Sequence, residues 1–273
     1  MKRKSIFPGG GYVLSLAIAV ILLSFRPDGG KPAGTYLHKI SSAEGHTKLE
    51  YNADKTLKKM LQFRKTENAS YTDVILPVYE NGRLVRTLFA DDENAVTGDI
   101  FTSYDYNTGG EQIEKVKYYR NNDIFTYDSL AYNADGNLQT RYHFSKHPSS
   151  GKWENTGYEQ FTWSQDGNVE RVDNYGKQPG YSKFVCTSSL SYTYDKAQNP
   201  QHEQPVLAFV LEANAANLSA HNVLSETISS ANSSAAITNT YSYAYNAAKY
   251  PVRATFNSGM DNSIVKLEWI SLP

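Results

Sequence analysis

Residues 132–144 read YNADGNLQTRYHF, and this stretch decides the fold. Asn133 opens a tetrad that closes on Gly136. Asparagine at the first position of a turn accepts hydrogen bonds from the backbone ahead of it. Glycine at the fourth takes positive φ without a Cβ clash. The tetrad therefore suits a type I turn followed by a left-handed residue, the connection of a β-hairpin. Before it, Leu130 and Tyr132 are spaced by two and share one face of a strand. After it, Leu138, Thr140, Tyr142 and Phe144 keep the same spacing and are expected on one face.

The unit recurs along the chain. YNADKTL begins at Tyr51, WSQDGNV at Trp163, YDKAQNP at Tyr194 and YNAAKYP at Tyr245. Looser copies are YENGRL at Tyr79 and YNTGGEQI at Tyr106. The intervals are about 26 to 31 residues, except the last, of about 51. Seven hairpins give roughly fourteen strands, an all-β antiparallel meander. A sheet of that size does not stay open and flat, so it curls into a barrel-like or single-layer repeat sheet. Gly82, Gly136 and Gly167 occupy turn positions that set the backbone. Lys55 and Lys249 stand where glycine is preferred, so those two turns are expected to be strained or differently shaped. In the long interval, residues 206–218 (VLAFVLEANAANL) suit a short helix or a buried strand, and 229–236 (SSANSSAA) a linker or loop tip.

The 273 residues carry a formal charge of −1, which removes the electrostatic case for a nucleic-acid partner. Tyrosine is abundant, at 21 against 11 Phe and 3 Trp, and favours strands that keep one wet end. Cys186 is the lone cysteine, so an intramolecular disulfide and a four-thiolate zinc site are both excluded. Lys2, Arg3 and Lys4 precede an apolar run from Val13 to Leu23, too short to span a bilayer comfortably and suited to an export signal. The expected organisation is a signal peptide or anchor at 1–25, a linker at 26–45, and a hairpin-repeat domain at 46–273 with a long insertion at 201–240.

Tyr-[Asn/Asp]-x-x-Gly-x-Leu resembles the YD repeat of large bacterial surface and toxin-shell proteins. The order YTYDKAQNP (192–200), LSAHNV (218–223), YSYAYNAAKYPVRATF (241–256) and LEWI (267–270) resembles an uncharacterised exported Bacteroidota-type family, a domain of unknown function with a porin-like fold. Many relatives of that kind carry a lipobox cysteine, where this chain has Phe25-Arg26. The resemblance implies no catalytic residues.

The residues themselves point the same way. Asp54, Asp105, Asp135 and Asp166 offer oxygen ligands at turns, but lone Asp-Gly pairs are ordinary turn chemistry. No metal and no cofactor are expected. His143 and His147 are expected at the surface, His221 in a buried hydrogen-bonding role, and Cys186 as a small buried hydrophobe. No G-x-S-x-G, phosphate loop or H-E-x-x-H is present, and no catalytic residue is expected. Trp153, Tyr158, Trp163 and Tyr175 could stack on carbohydrate or peptide, although cross-strand pairing is the simpler use of such rings.

The function that follows is an exported, non-enzymatic envelope or secreted β-protein, acting by binding or as structure, with a glycan or protein at the cell surface as partner. One alternative is a small outer-membrane barrel, opposed by charges on both strand faces at Lys58-Lys59, Glu114-Lys115 and Glu170-Arg171. Another is a hydrolase with a dispersed site, which would bring acidic residues or histidines together in a cleft.

Overall fold

The computed structural model describes residues 34–110, 112–178, 180–199, 202, 208–210, 213–259 and 262–272; the expected export signal lies outside them. The strands are β1 (Thr35–Ser41), β2 (Gly45–Tyr51), β3 (Leu57–Lys65), β4 (Ser70–Glu80), β5 (Arg83–Ala90), β6 (Asp99–Tyr106), β7 (Ile113–Arg120), β8 (Asp123–Tyr132), β9 (Leu138–Lys146), β10 (Trp153–Trp163), β11 (Val169–Lys177), β12 (Phe184–Gln198), β13 (His221–Ser230), β14 (Ala236–Tyr245), β15 (Pro251–Asn257) and β16 (Asn262–Ser271). Each pairs antiparallel with its sequence neighbours, and β1 pairs with β16, so the sheet closes into a barrel.

Six of the seven repeats turn tightly on one rim; at the seventh, YDKAQNP lies largely within β12, which runs to Gln198 and is joined to β13 on that rim by a long connection. The repeats join β2 to β3, β4 to β5, and so on to β14 and β15. The count of fourteen strands is therefore too low by two. The missing strands, β1 and β16, have no repeat turn between them and meet at the seam instead. The turn geometry is as expected. Gly136 donates to Asn133 O at 3.0 Å with φ 81°, and the Asn133 side chain accepts from Asp135 N and Asn137 N. Lys55 and Lys249 adopt the same left-handed backbone, φ 72° and 64°, and make the same turn hydrogen bond at 2.9 Å. Those turns keep their shape and carry the strain.

The aromatic residue that opens each repeat does more than alternate. Its ring faces inward, and its polar tip reaches across the previous hairpin to a backbone carbonyl. Tyr51 Oη donates to Leu37 O at 2.7 Å, Tyr106 to Leu84 O at 3.0 Å, Tyr132 to Ile113 O at 2.7 Å and Tyr194 to Val169 O at 2.6 Å. Trp163 Nε1 donates to Leu138 O at 2.7 Å, and Trp269 Nε1 to Pro251 O at 2.8 Å. Tyr79 hydrogen-bonds the Leu57 backbone, and Tyr243 takes the place of Tyr245 by donating to Val223 O at 2.9 Å. The acceptors stand at or near the start of their strands, and Leu37, Leu57, Leu84, Ile113, Leu138, Val169 and Val223 are all buried.

A register shift stands beside each of these anchors, for example between Ala131 and Tyr132 opposite Leu138. Such a bulge adds one residue to a strand and reverses the face of everything beyond it. The expectation that Leu138 shares a face with Thr140, Tyr142 and Phe144 is corrected on this ground. Leu138 faces in. Arg141 and His143 then face in, opposite Leu130 and Asp128, while Tyr142 and Phe144 face out.

The inner face holds one apolar cluster drawn from all around the barrel, including Leu49, Met60, Ile75, Val116, Leu130, Phe161, Val172, Ala254 and Leu267. Sixteen strands enclose a lumen too wide for their own side chains to fill. The connection between β12 and β13 fills one end. Its helical turn Ala215–Leu218 is capped by the Asn214 side chain and packs with Ala208, Val210 and Ala213 into the cluster. Tyr104 Oη donates to Phe209 O at 3.2 Å, Val169 N to Ser219 Oγ at 3.0 Å, and Asn199 Nδ2 to Ala216 O and Ser219 O at 3.1 Å. The described part of this plug ends at residue 220. Residues 221–230 and 236–240, expected within the insertion, lie in β13 and β14 (Ala236–Tyr245), with 231–235 as a turn on the opposite rim.

Two outcomes are expected. Tyr132→Phe and Tyr106→Phe each lower the unfolding free energy by about 1–3 kcal/mol, because a buried carbonyl loses its donor while the ring stays. Tyr181→Phe, on a residue 71% exposed, leaves it unchanged in the same denaturant titration. Lys55→Gly and Lys249→Gly each raise the unfolding free energy by roughly 1 kcal/mol by relieving left-handed strain.

Candidate binding site in the barrel lumen

Beyond the apolar layer the inner face becomes polar. Cross-strand register places His143 opposite Asp128 and Arg141 opposite Glu159, all pointing inward. His143 Nδ1 lies 2.7 Å from Asp128 Oδ1, and its Nε2 lies 3.8 Å from Glu159 Oε1. Arg141 donates to Glu159 Oε2 through Nε at 2.7 Å and Nη2 at 2.6 Å, and Tyr118 Oη donates to Asp128 Oδ2 at 2.9 Å. Two carboxylates meet two cations, so the group is charge-balanced and its buried ends are hydrogen-bonded, as burial requires.

Burial disfavours the charge on His143, but hydrogen bonds and charge from Asp128 and Glu159 outweigh it and raise its pKa to about 9. Burial likewise works against the Glu159 carboxylate, and His143 and Arg141 overcome it and hold its pKa below the usual value. His143 is thus protonated at neutral pH, with a carboxylate facing each ring nitrogen. It has no lone pair with which to act as a general base. Burial, then the charge of Asp128, pushes the Tyr118 hydroxyl upward, so it is no nucleophile either.

A cavity of about 200 Å³ lies between this cluster, the plug and the arc of wall from β9 to β14. Arg141, Glu159 and Asn174 line one side, Tyr192, Glu226 and Tyr241 the other, and Asn214 to Ala216 close it. Glu226 accepts from Tyr192 Oη at 3.2 Å and from Asn239 Nδ2 at 3.1 Å. A wider space of about 860 Å³ opens between the plug and the rim turns that carry Gly82, Gly136 and Gly167.

The sequence-expected aromatics separate. Trp153, Tyr158 and Tyr175 stand on the outer face, whereas Trp163 faces in and is spent on the rim and core. Outside, Tyr158 stacks on Tyr175 at 4.4 Å and meets Tyr142 at 5.7 Å. Trp153 meets Tyr127 edge-on at 4.8 Å, Tyr127 stacks on Phe144 at 4.6 Å, and Lys146 lies 5.4 Å over the Trp153 ring. These are cross-strand pairs with one side still open to water.

Other expectations need correction. His143 is not a surface histidine but a half-buried member of the lumenal cluster, because the bulge turns it inward. His147 caps its own turn, accepting from Ser149 N and Ser150 N. Cys186 is half-buried on the outer wall beside Tyr175, not in the core. His221 is hydrogen-bonded as expected, held to Asn168 through both ring and backbone at 3.0 Å, but it is half-buried rather than buried. Of the turn aspartates, Asp54 accepts from Thr56, and Asp105 lies on β6 paired with Lys117. Among the described residues, no group of three His, Cys, Asp or Glu is arranged to hold a metal ion. Sequence reasoning missed Asp128, Arg141, Glu159 and Glu226. Two had a signal: Asp128-x-Leu130-x-Tyr132 and Glu159-x-Phe161-x-Trp163 share the spacing that puts the carboxylates on the core face.

No known protein family matches the sequence, and no curated protein matches it. The fold is a closed antiparallel β-barrel, and solved structures resemble it. The chain is similar to a porin-like protein from Bacteroides uniformis, at 10% identity and a TM-score of 0.56, over 89% of this chain and 99% of that one. A porin-like protein from Bacteroides vulgatus aligns at 12% identity and a TM-score of 0.45, over 85% of this chain and 98% of that one. The first likeness concerns the fold alone, a closed antiparallel β-barrel.

The His143 cluster makes stability depend on pH. A histidine whose pKa is raised on folding contributes stability that is complete below about 6.5 and lost as pH rises through about 9. Denaturant titrations across that window should show a loss of about 1–2 kcal/mol, discounted for the partial exposure of the ring. His143→Gln should flatten the slope.

Proposed function

We propose that this protein is an exported, non-enzymatic barrel of the cell envelope, or released from it, that faces water on its outside and acts by binding. The observation that carries the reading is the outer wall. Ion pairs sit on its strand bodies: Lys39–Glu268 at 3.9 Å, Lys48–Glu50 at 2.8 Å, Lys117–Asp105 at 2.7 Å and Arg171–Asp173 at 2.8 Å. Arg253 and Lys266 add exposed cations directly opposite each other on β15 and β16. In a lipid-facing strand, each Lys or Arg near the midplane would cost roughly 2–4 kcal/mol. The outer stripe of Trp153, Tyr158 and Tyr175 is the surface proposed to contact glycan or peptide, since such rings supply large contact area at small entropic cost.

The second reading is a small outer-membrane barrel. Closure into sixteen strands and the porin-like fold favour it. One experiment separates the two. Protein recovered after export and purified without detergent should elute as a folded, β-rich species in gel filtration with circular dichroism. Material that sediments with membranes and gains β structure only in detergent would establish the membrane barrel instead.

A further inference from the structure

Among its described lining residues, the lumenal cavity carries one more carboxyl group than cation. Among the described residues that line it, the ionisable side chains near neutral pH are Arg141, Glu159 and Glu226. Arg141 is held against Glu159 at 2.6 Å, and Glu159 in turn neighbours His143, which is paired with Asp128. Glu226 has no cationic partner among the described residues. It is served only by neutral donors, the Tyr192 hydroxyl and the Asn239 amide. The Glu226 carboxyl is half-buried and faces the cavity among these neutral donors. Its field reaches the neighbouring rings: burial, and after it the charge of Glu226, pushes up the hydroxyls of both Tyr192 and Tyr241.

The rest of the lining suits a cation. Tyr192, Tyr241 and Tyr243 present aromatic surface, and a carboxylate framed by aromatic rings is the arrangement that recognises ammonium groups. Asn174, Asn214 and Asn222 add neutral polar groups around it. The volume, about 200 Å³, is that of about six or seven waters and is below the range of drug-sized pockets. It suits a small organic molecule and excludes a polymer. We infer that the lumenal cavity is a binding site for a small organic cation, an alkyl- or arylammonium compound, with Glu226 as counter-charge and Tyr192 and Tyr241 as the walls of the ammonium pocket. This deepens the proposal that the barrel acts by binding, and assigns that binding to the lumen in addition to the outer stripe.

The test uses n-butylammonium as probe, with 1-butanol and butyrate as neutral and anionic counterparts, on the purified protein. Calorimetry and saturation-transfer NMR should show saturable binding of butylammonium at or below low-millimolar concentration, at least about tenfold tighter than butanol, and none of butyrate. Glu226→Gln keeps the size and the Tyr192 contact and should weaken butylammonium at least about tenfold, with the butanol signal unchanged. Asn239→Lys, which sets a cation beside Glu226, should abolish binding independently, and Tyr241→Leu should weaken it several-fold. Circular dichroism and the unfolding midpoint of each variant confirm that the barrel is intact. Three results would overturn the inference: no saturable signal up to about 20 mM, butanol binding as well as butylammonium, or unchanged affinity in folded Glu226→Gln. Any of them in a protein that stays folded without detergent removes the lumenal site and leaves the water-facing barrel standing.

Discussion

The hydrogen bond from an inward aromatic residue to a carbonyl of the preceding hairpin is the contact on which the rest of this barrel depends. At the start of each acceptor strand the ladder to the next hairpin stops short, as at Thr140 on β9 opposite Gln160, and the buried carbonyl beyond it must be satisfied. Tyrosine and tryptophan answer both needs at once, since their rings are apolar and their tips donate. Each anchor ties one hairpin to the previous one, from Tyr51 on Leu37 to Trp269 on Pro251. The repeat is thus more than a series of turns. It is a ring of cross-hairpin ties that fixes the same register in every unit, and so determines which residues face in.

From that register the two halves of the lumen follow. The residues just after each rim turn are large and aliphatic, and they build the apolar floor on which the plug sits. One or two pairs further along the strands, the inward positions are occupied by Asp128, Arg141, His143, Glu159 and Glu226. Their ionic groups tolerate burial because cross-strand opposition gives four of them partners of the other sign. The fifth, Glu226, is the exception, and it faces the space that the plug leaves unfilled.

Much of this was legible in the sequence. The turn chemistry of Asn133 to Gly136 is local, so hairpins, left-handed glycines and an all-β meander could be read from spacing alone. Closure was not, because β1 and β16 carry no turn signal and their pairing is long-range. The facing of residues after the Asn133–Gly136 turn was misread for a definite reason: one bulge residue, invisible in an alternating pattern, moved Arg141 and His143 inward and Tyr142 outward. The plug lay in a segment poor in periodicity, and its helical turn takes shape against the apolar floor rather than from propensity. The lumenal cluster was half visible, through carboxylates spaced by two from core aromatics, and half hidden behind the bulge.

The ring of ties must end by meeting itself, and the seam between β1 and β16 is where the account is most exposed. Lys39 and Glu268 are directly paired across it on the outer face. Lys39→Cys with Glu268→Cys, in a Cys186→Ser background, places two thiols within reach of a disulfide only if the barrel is closed. The account predicts rapid, near-complete oxidation to an intramolecular disulfide in the folded protein and its absence in denaturant. Persistently free thiols in the folded state, or crosslinking only between molecules, would show that the sheet is open and contradict it.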